Sequence, residues 1–174
     1  MTAITPTITT LQQLLDYDAR SFTSAEIQLA HHLPGWISKS GSLKLKTVLQ
    51  KYLDFVQEHI KKHEAFFSAE QIDSLNVSNR VMKAMIDETE DKMSHCADVE
   101  VKDACLLACI QSINHFKIST YGTAAAYAKA VGLENFSGLF HEIEISEKQI
   151  DDRLSQLAEN EININAKAPI ALHS

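Results

Sequence analysis

Apolar residues recur along this chain at alternating intervals of three and four, the period of a helix with one buried face. The first such stripe runs Leu11, Leu14, Leu15, Asp18, Phe22, Ala25, Glu26, Leu29, Leu33, Trp36, Ile37. Its predicted start follows Thr9, with Thr9 and Gln12 spaced as a capping box, and Pro34 is expected to kink the helix or loosen its last turn. After a turn at Lys39-Ser40-Gly41-Ser42, a second stripe carries Leu45, Val48, Leu49, Tyr52, Phe55, Val56, His59, His63, Phe66 and Phe67. A third, capped by Asp98, places Leu107, Ile110, Asn114, Lys117, Tyr121, Ala124 and Ala128 on one face. Gly132 closes it in the left-handed conformation, and a fourth stripe follows: Phe136, Leu139, Phe140, Ile143, Glu147, Ile150, Leu154, Leu157. Short turns make successive helices antiparallel.

Between the second and third stripes the pattern thins. Ser78 is expected to cap a shorter helix from Asn79 to about Ser94, with Val81, Met85, Ile86 and Met93 as a narrow apolar edge. The run Asp87-Glu88-Thr89-Glu90-Asp91 then faces water, so this segment reads as a crossover helix on the outside of a four-helix bundle. The chain divides into a flexible start (1–8), an all-α bundle domain (9–160) and a loosely ordered tail (161–174) without amphipathic period.

Composition narrows the function classes. Only 5 Gly and 3 Pro in 174 residues leave few breakers, in keeping with long helices. The net charge of −7, with no basic cluster larger than Lys61-Lys62, argues against nucleic acid. No apolar run approaches membrane-spanning length, and the first ten residues lack a secretory pattern. Three cysteines without a Cys-x-x-Cys pair favour a reduced, cytoplasmic setting, with Cys105 and Cys109 packing as small apolar residues. Triad-type catalysis and phosphate loops have no supporting motif.

The candidate chemistry lies in the polar residues set into apolar stripes. Glu26, Asn114, Lys117 and Glu147 fall in mid-helix, where a buried charge requires a partner. Asp18, nearer an open end, reads as a partly solvated carboxylate. His59 and His63 are four apart, a spacing that suits one metal ion and equally suits two packed core residues. Asp151 follows Glu147 by one turn.

Three segments carry a family resemblance. VKDACLLACIQSINHFKISTYGTAAAYAKAVGLENFSGLF, then SEKQIDDRLSQLAE, resembles the YciE/YciF-like family of ferritin-like proteins, domain of unknown function 892. TSAEIQLAHHLPGWI is similar to the same family's first helix, and the likeness spans Leu11 to Ala158. It implies a ferritin-like four-helix bundle with a crossover helix, a stress association in bacteria, and an interior like a di-iron carboxylate site. Against that pattern, Asn114 and Lys117 stand in place of two Glu, Phe55 replaces a Glu, and Ser146 replaces the first of a Glu pair. Glu26, Glu147 and Asp151 keep the family's residue type, and His59 sits where some members have His or Gln.

A di-iron site needs about six ligands, mostly carboxylates, because two hard cations bring four or more positive charges into a poorly polarisable core. An ammonium among them repels cations and occupies a carboxylate. The favoured reading is a metal-free polar core of Glu26, His59, Asn114, Lys117, Glu147 and Asp151, with a structural or interaction role and no catalytic residue. The alternative is a degenerate iron site on Glu26, His59, Glu147 and Asp151 with oxidase or peroxide-consuming chemistry. In a third, Lys117 snorkels outward. A homodimer is expected, with Trp36, Phe66 and Phe67 as candidate exposed rings for the contact, although packing against the crossover helix explains each of them as well.

Overall fold

The computed structural model describes residues 7–73 and 77–167, and among them every regular element is helical. Four long helices, α1 (Leu11–Lys39), α2 (Leu43–Glu70), α4 (Val99–Ala130) and α5 (Glu134–Leu157), surround the core, and a shorter α3 (Arg80–His95) lies between α2 and α4 in sequence. Side-chain capping starts four of them. Thr10, Ser42, Asn79 and Asp98 each accept a backbone N–H from the first turn of the following helix.

Two caps sit one residue beyond expectation: Thr10 in place of Thr9, and Asn79 in place of Ser78. Gln13, not Gln12, reaches back to the Thr9 N–H. Helix α1 continues through the exposed Pro34 to Lys39. At the end of α4, Gly132 has φ 82°, and Leu133 N donates to Ala128 O while Gly132 N donates to Lys129 O. Both hydrogen bonds of a Schellman closure are therefore present.

Long-range hydrogen bonds set the directions. Thr23 meets His63 and Ser40 meets Asp103, so α1 runs antiparallel to both α2 and α4. Asn114 meets Glu147, while Ser137 reaches Ala125, so α4 and α5 are antiparallel as well. Helices α2 and α4 thus point the same way, and the chain between them must travel back along the molecule. Helix α3 does so, packed on α1 and α4. Its buried edge is Met82, Ile86, Thr89 and Met93, with Val81 turned outward. Glu90 accepts the Trp36 indole N–H at 2.6 Å and pairs with Lys39, so the acidic run does not simply face water.

Trp36 and Phe66 are 0% exposed and Phe67 is 7% exposed, which overturns their expected role as exposed rings for a dimer contact. Trp36 is held against α3, and Phe66 packs on Phe136 and Phe140 of α5. The tail also differs from expectation. A π-helical turn (Ala158–Ile162) and a short helix α6 (Asn163–Lys167) continue α5, with Ile162 3% exposed in the core. The rest of the expected loose tail, 168–174, and most of the flexible start, 1–6, lie outside the described residues.

A single carboxylate fastens the α1–α2 turn. Asp103 of α4, 4% exposed, accepts from Ser40 Oγ, Gly41 N and Ser42 N at 2.7–3.1 Å. Asp103→Ala leaves two backbone donors and a hydroxyl without this acceptor, and we expect a loss of about 2–3 kcal/mol in urea unfolding. A change within about 0.5 kcal/mol would show that water replaces the carboxylate at no cost.

Candidate functional site: a buried Lys–carboxylate layer

The buried apolar residues form two clusters. One gathers around Leu29, Leu33, Trp36, Leu49, Ile110 and Leu154, and the other around Leu15, Phe66, Ala124 and Phe140. Along every long helix, the polar residues of the site fall between these two clusters. Glu26 and Glu147 are 0% exposed, and His59 and Lys117 are 2% exposed.

The Lys117 ammonium is the centre of the layer. Its Nζ lies 2.9 Å from Glu26 Oε2 and 2.5 Å from Glu147 Oε1, so it bridges α1 and α5 from α4. It also sits 4.8 Å from the centroid of the Tyr52 ring. A snorkelled Lys117 is inconsistent with this placement. Burial alone would pull its pKa down, but Glu147 and Glu26 raise it above the ordinary 10.5. Burial pushes the Glu26 carboxyl up, and Lys117, His59 and Tyr121 outweigh that to bring it to about 2. Lys117 and Glu26 thus hold each other in the ionised form against the cost of burial.

Each carboxylate has further donors. Glu147 Oε2 accepts from Tyr52 OH at 2.8 Å and from Asn114 Nδ2 at 2.7 Å, and Asn114 also donates to the Glu147 carbonyl. Glu26 Oε1 accepts from Tyr121 OH at 2.5 Å. His59 Nδ1 faces both carboxylates, 3.3 Å from Glu26 Oε1 and 3.4 Å from Glu147 Oε1. Its Nε2 lies 2.8 Å from Ser146 Oγ, whose own proton goes to Ile143 O. Ser146 therefore accepts from Nε2–H, while Nδ1 lies at 3.3–3.4 Å from the two carboxylates without a hydrogen bond to either.

The residues that replace expected carboxylates have taken up this support. Ser146 orients the His59 ring, and Phe55 stacks on it at 6.4 Å between centroids, 19° from parallel. Asp151 does not join the layer. Its side chain is 22% exposed, 3.0 Å from His115 Nε2 and hydrogen-bonded to Gln111, both on α4. Four residues on from Glu147 adds about 40° of rotation, enough to move it from the interior to the α4–α5 seam. Half-buried Asp18 is not part of the layer either, and burial raises its pKa.

Tyr52, Tyr121, His63 and Thr23 complete the network; of these the sequence singles out His63 alone, as half of a four-apart histidine pair. Tyr121 OH accepts from His63 Nε2 at 2.9 Å, and His63 Nδ1 lies 2.7 Å from Thr23 Oγ1. The available signal was tyrosine and threonine on interior stripes, where a hydroxyl must find a partner.

Burial lowers the His63 pKa from 6.5 to about 4, with Glu26 opposing the shift. The fold thus prefers neutral His63, so its contribution is complete above pH 6.5 and lost as pH falls towards 4. Glu26, lowered from 4.5 to about 2, adds a second loss at still lower pH. Unfolding free energy is expected to fall by up to about 1.4 kcal/mol per pH unit between pH 6.5 and 4. Urea titrations of His63→Phe across that range should lose most of this slope. An unchanged slope would place the titrating group elsewhere.

The donor set does not fit a di-iron centre. Glu26, His59 and Glu147 each offer one ligand atom within 4.8 Å of the others, and they are the one such buried group among the described residues. Three protein ligands fall short of the six that two ions need, and the ammonium of Lys117 already contacts both carboxylates.

Comparison with known proteins agrees with the sequence resemblance. Residues 10–167 match the family described as Domain of unknown function (DUF892). The chain belongs to this family. It is 29% identical over 148 residues to protein YciF of Escherichia coli strain K12, covering 83% of this chain and 87% of that one. The crystal structure of YciF, an E. coli stress protein, superposes with a TM-score of 0.84 at 25% identity, covering 90% and 99% of the two chains. YcfI of Rhodopseudomonas palustris, to which a structural role is ascribed, also gives a TM-score of 0.84 at 25% identity, covering 88% and 98%. No described helix of this family member is long and apolar enough to cross a membrane.

Proposed function

We propose that this chain is a ferritin-like four-helix bundle, with α3 as its crossover helix, that works without metal as a structural or interaction protein. The observation that carries the reading is the Lys117 ammonium within 2.9 Å of Glu26 and 2.5 Å of Glu147. A cation is already bonded to both carboxylates that an imported ion would need. The layer is also closed, because Glu26, His59, Lys117 and Glu147 have at most 2% of their surface exposed. No substrate reaches Glu26, His59 or Glu147 without separating helices. The stress association of E. coli YciF and the structural role ascribed to YcfI support the same reading. A cytoplasmic homodimer, without nucleic acid or membrane as partner, completes the proposal.

The alternative, iron-dependent consumption of oxygen or peroxide, draws on the Glu26–His59–Glu147 group. It requires Lys117 to leave the layer. Protein purified from cells grown with ample iron and manganese decides between them. Background metal content, with no oxygen or peroxide consumption on adding ferrous iron, is the expected result. Stoichiometric iron with consumption would overturn the proposal. Light scattering of the eluted protein tests the dimer, and a single-chain mass at all concentrations would remove it.

A further inference from the structure

The start of α3 is pinned to α1 by one buried residue. Asn79 Nδ2 donates to Ser21 O and Ser21 Oγ at 3.2 and 3.0 Å, and the Asn79 backbone N–H reaches Ser24 Oγ at 3.1 Å. Gln28 Nε2 donates in return to Asn79 O at 3.2 Å, while Asn79 Oδ1 caps α3 through Met82 N. The first turn of α3 is thus fixed beside α1.

This anchoring leaves an open cleft of about 660 Å³ where α1, α4 and the start of α3 meet. Small-molecule sites commonly span roughly 300–1,000 Å³. Three rings line the cleft: Tyr17 and Phe22 from α1, and Phe116 from α4. Two of them are already packed into the protein. Phe22 meets the Tyr121 ring edge-on, with centroids 5.7 Å apart and 61° between planes, and borders one apolar cluster. Phe116 borders the other cluster. A ligand ring therefore meets surfaces that need little ordering on binding. Tyr17 and Val81, both in the lining, are exposed apolar side chains.

The formal charge in the cleft has one sign. Arg80 lines it, and no Asp or Glu does. Among the described residues, the ion pairs of α3 involve Lys83, Asp87, Glu90, Asp91 and His95, and Arg80 takes part in none. A guanidinium presents a planar fork of donors that matches a carboxylate.

We propose that this cleft binds a small aromatic carboxylate, with its ring against Tyr17, Phe22 and Phe116 and its carboxylate on the Arg80 guanidinium. Shape and charge both restrict the class. An aliphatic acid leaves the ring faces in water, an aromatic cation meets Arg80 with like charge, and a neutral aromatic forgoes the fork. None of Glu26, His59, Lys117 and Glu147 lines the cleft, so occupancy needs no separation of helices and does not rest on the metal-free reading of that layer.

Three ligands that differ in one group test this on the full chain: naphthoate, naphthylmethanol and naphthylmethylammonium, each titrated at neutral pH and followed by amide ¹H–¹⁵N shifts. Non-specific attraction to a chain of net charge −7 favours the ammonium and disfavours the carboxylate. The expected order is the reverse. Naphthoate should saturate one site about tenfold or more tighter than the alcohol. Its shifts should centre on residues 17–22, 77–81 and 116–120. Arg80→Gln should weaken naphthoate by about tenfold and leave the alcohol unchanged. No saturation by naphthoate, equal affinity for the alcohol, tighter binding of the ammonium, shifts centred elsewhere, or full naphthoate affinity in Arg80→Gln would each overturn the proposal. The ranking of the three ligands on wild type decides even if Arg80→Gln does not fold.

Discussion

Lys117→Met is expected to lose about 3–5 kcal/mol of unfolding free energy at pH 7, the range for removing one partner of a buried ion pair. Methionine has nearly the right length and fills the space, so the packing around Tyr52 and Ile113 changes little. What remains is electrostatic. Glu26 and Glu147 would keep their tyrosine and asparagine donors, but the two carboxylates would lose the ammonium that lies between them. The layer is too dry for water to stand in, since Glu26 and Glu147 have no exposed surface. A companion variant with Glu147→Met in addition should recover much of the loss, because replacing both partners with apolar groups is often nearly neutral. Urea melts of the single and double variants measure the coupling. A single-variant cost below about 1 kcal/mol would mean that the ammonium contributes no more than a surface pair does.

Lys117→Glu has the opposite chemical logic and a larger effect. It places a third carboxylate beside Glu26 and Glu147, with the cation gone. Without metal, like charges in a medium that screens them poorly should destabilise the chain beyond the Lys117→Met level. Added Mn²⁺ or ferrous iron then meets three carboxylates and His59, a donor set suited to a hard or borderline cation. Binding to the folded state alone adds about 2.7 kcal/mol when free metal stands at a hundred times Kd. Thermal melts should therefore show a metal-dependent rise in the variant and none in wild type. Equal insensitivity to metal in both would count against Lys117 as the group that keeps ions out.

Much of the helical organisation was legible in the sequence because long stripes with few breakers leave little choice. Gly132 and Asp98 marked their helix ends through local chemistry that needs no tertiary partner. Glu26, His59, Asn114, Lys117 and Glu147 stood out as polar residues on apolar stripes. Their convergence depends on the axial alignment of four helices, which no single stripe contains. The errors have the same origin. Trp36, Phe66 and Phe67 lie near helix ends, and whether an end is covered depends on a neighbouring helix, α3 for Trp36 and α5 for Phe66. Asp151 shared a helical face with Glu147 to within one step, and that step carried it out to His115. Likewise, Val81 and Met82 are adjacent, and small rotation of a short helix decides which is buried. The Thr23–His63–Tyr121–Glu26 chain spans three helices, so its hydrogen bonds cannot be read from any one stripe.

The Lys117 side chain itself offers the most direct test. In protein carrying ¹³C,¹⁵N-lysine, its Nζ signal is assigned by its absence in Lys117→Met and followed against pH and added Mn²⁺. The expected signal is an ammonium that stays protonated beyond pH 10.5, because Glu147 and Glu26 hold its pKa above that value. It should be unaffected by one equivalent of the paramagnetic ion. A signal that broadens away with one equivalent of Mn²⁺, or an amine that loses its proton below pH 10.5, would contradict an ammonium fixed in the place of a metal.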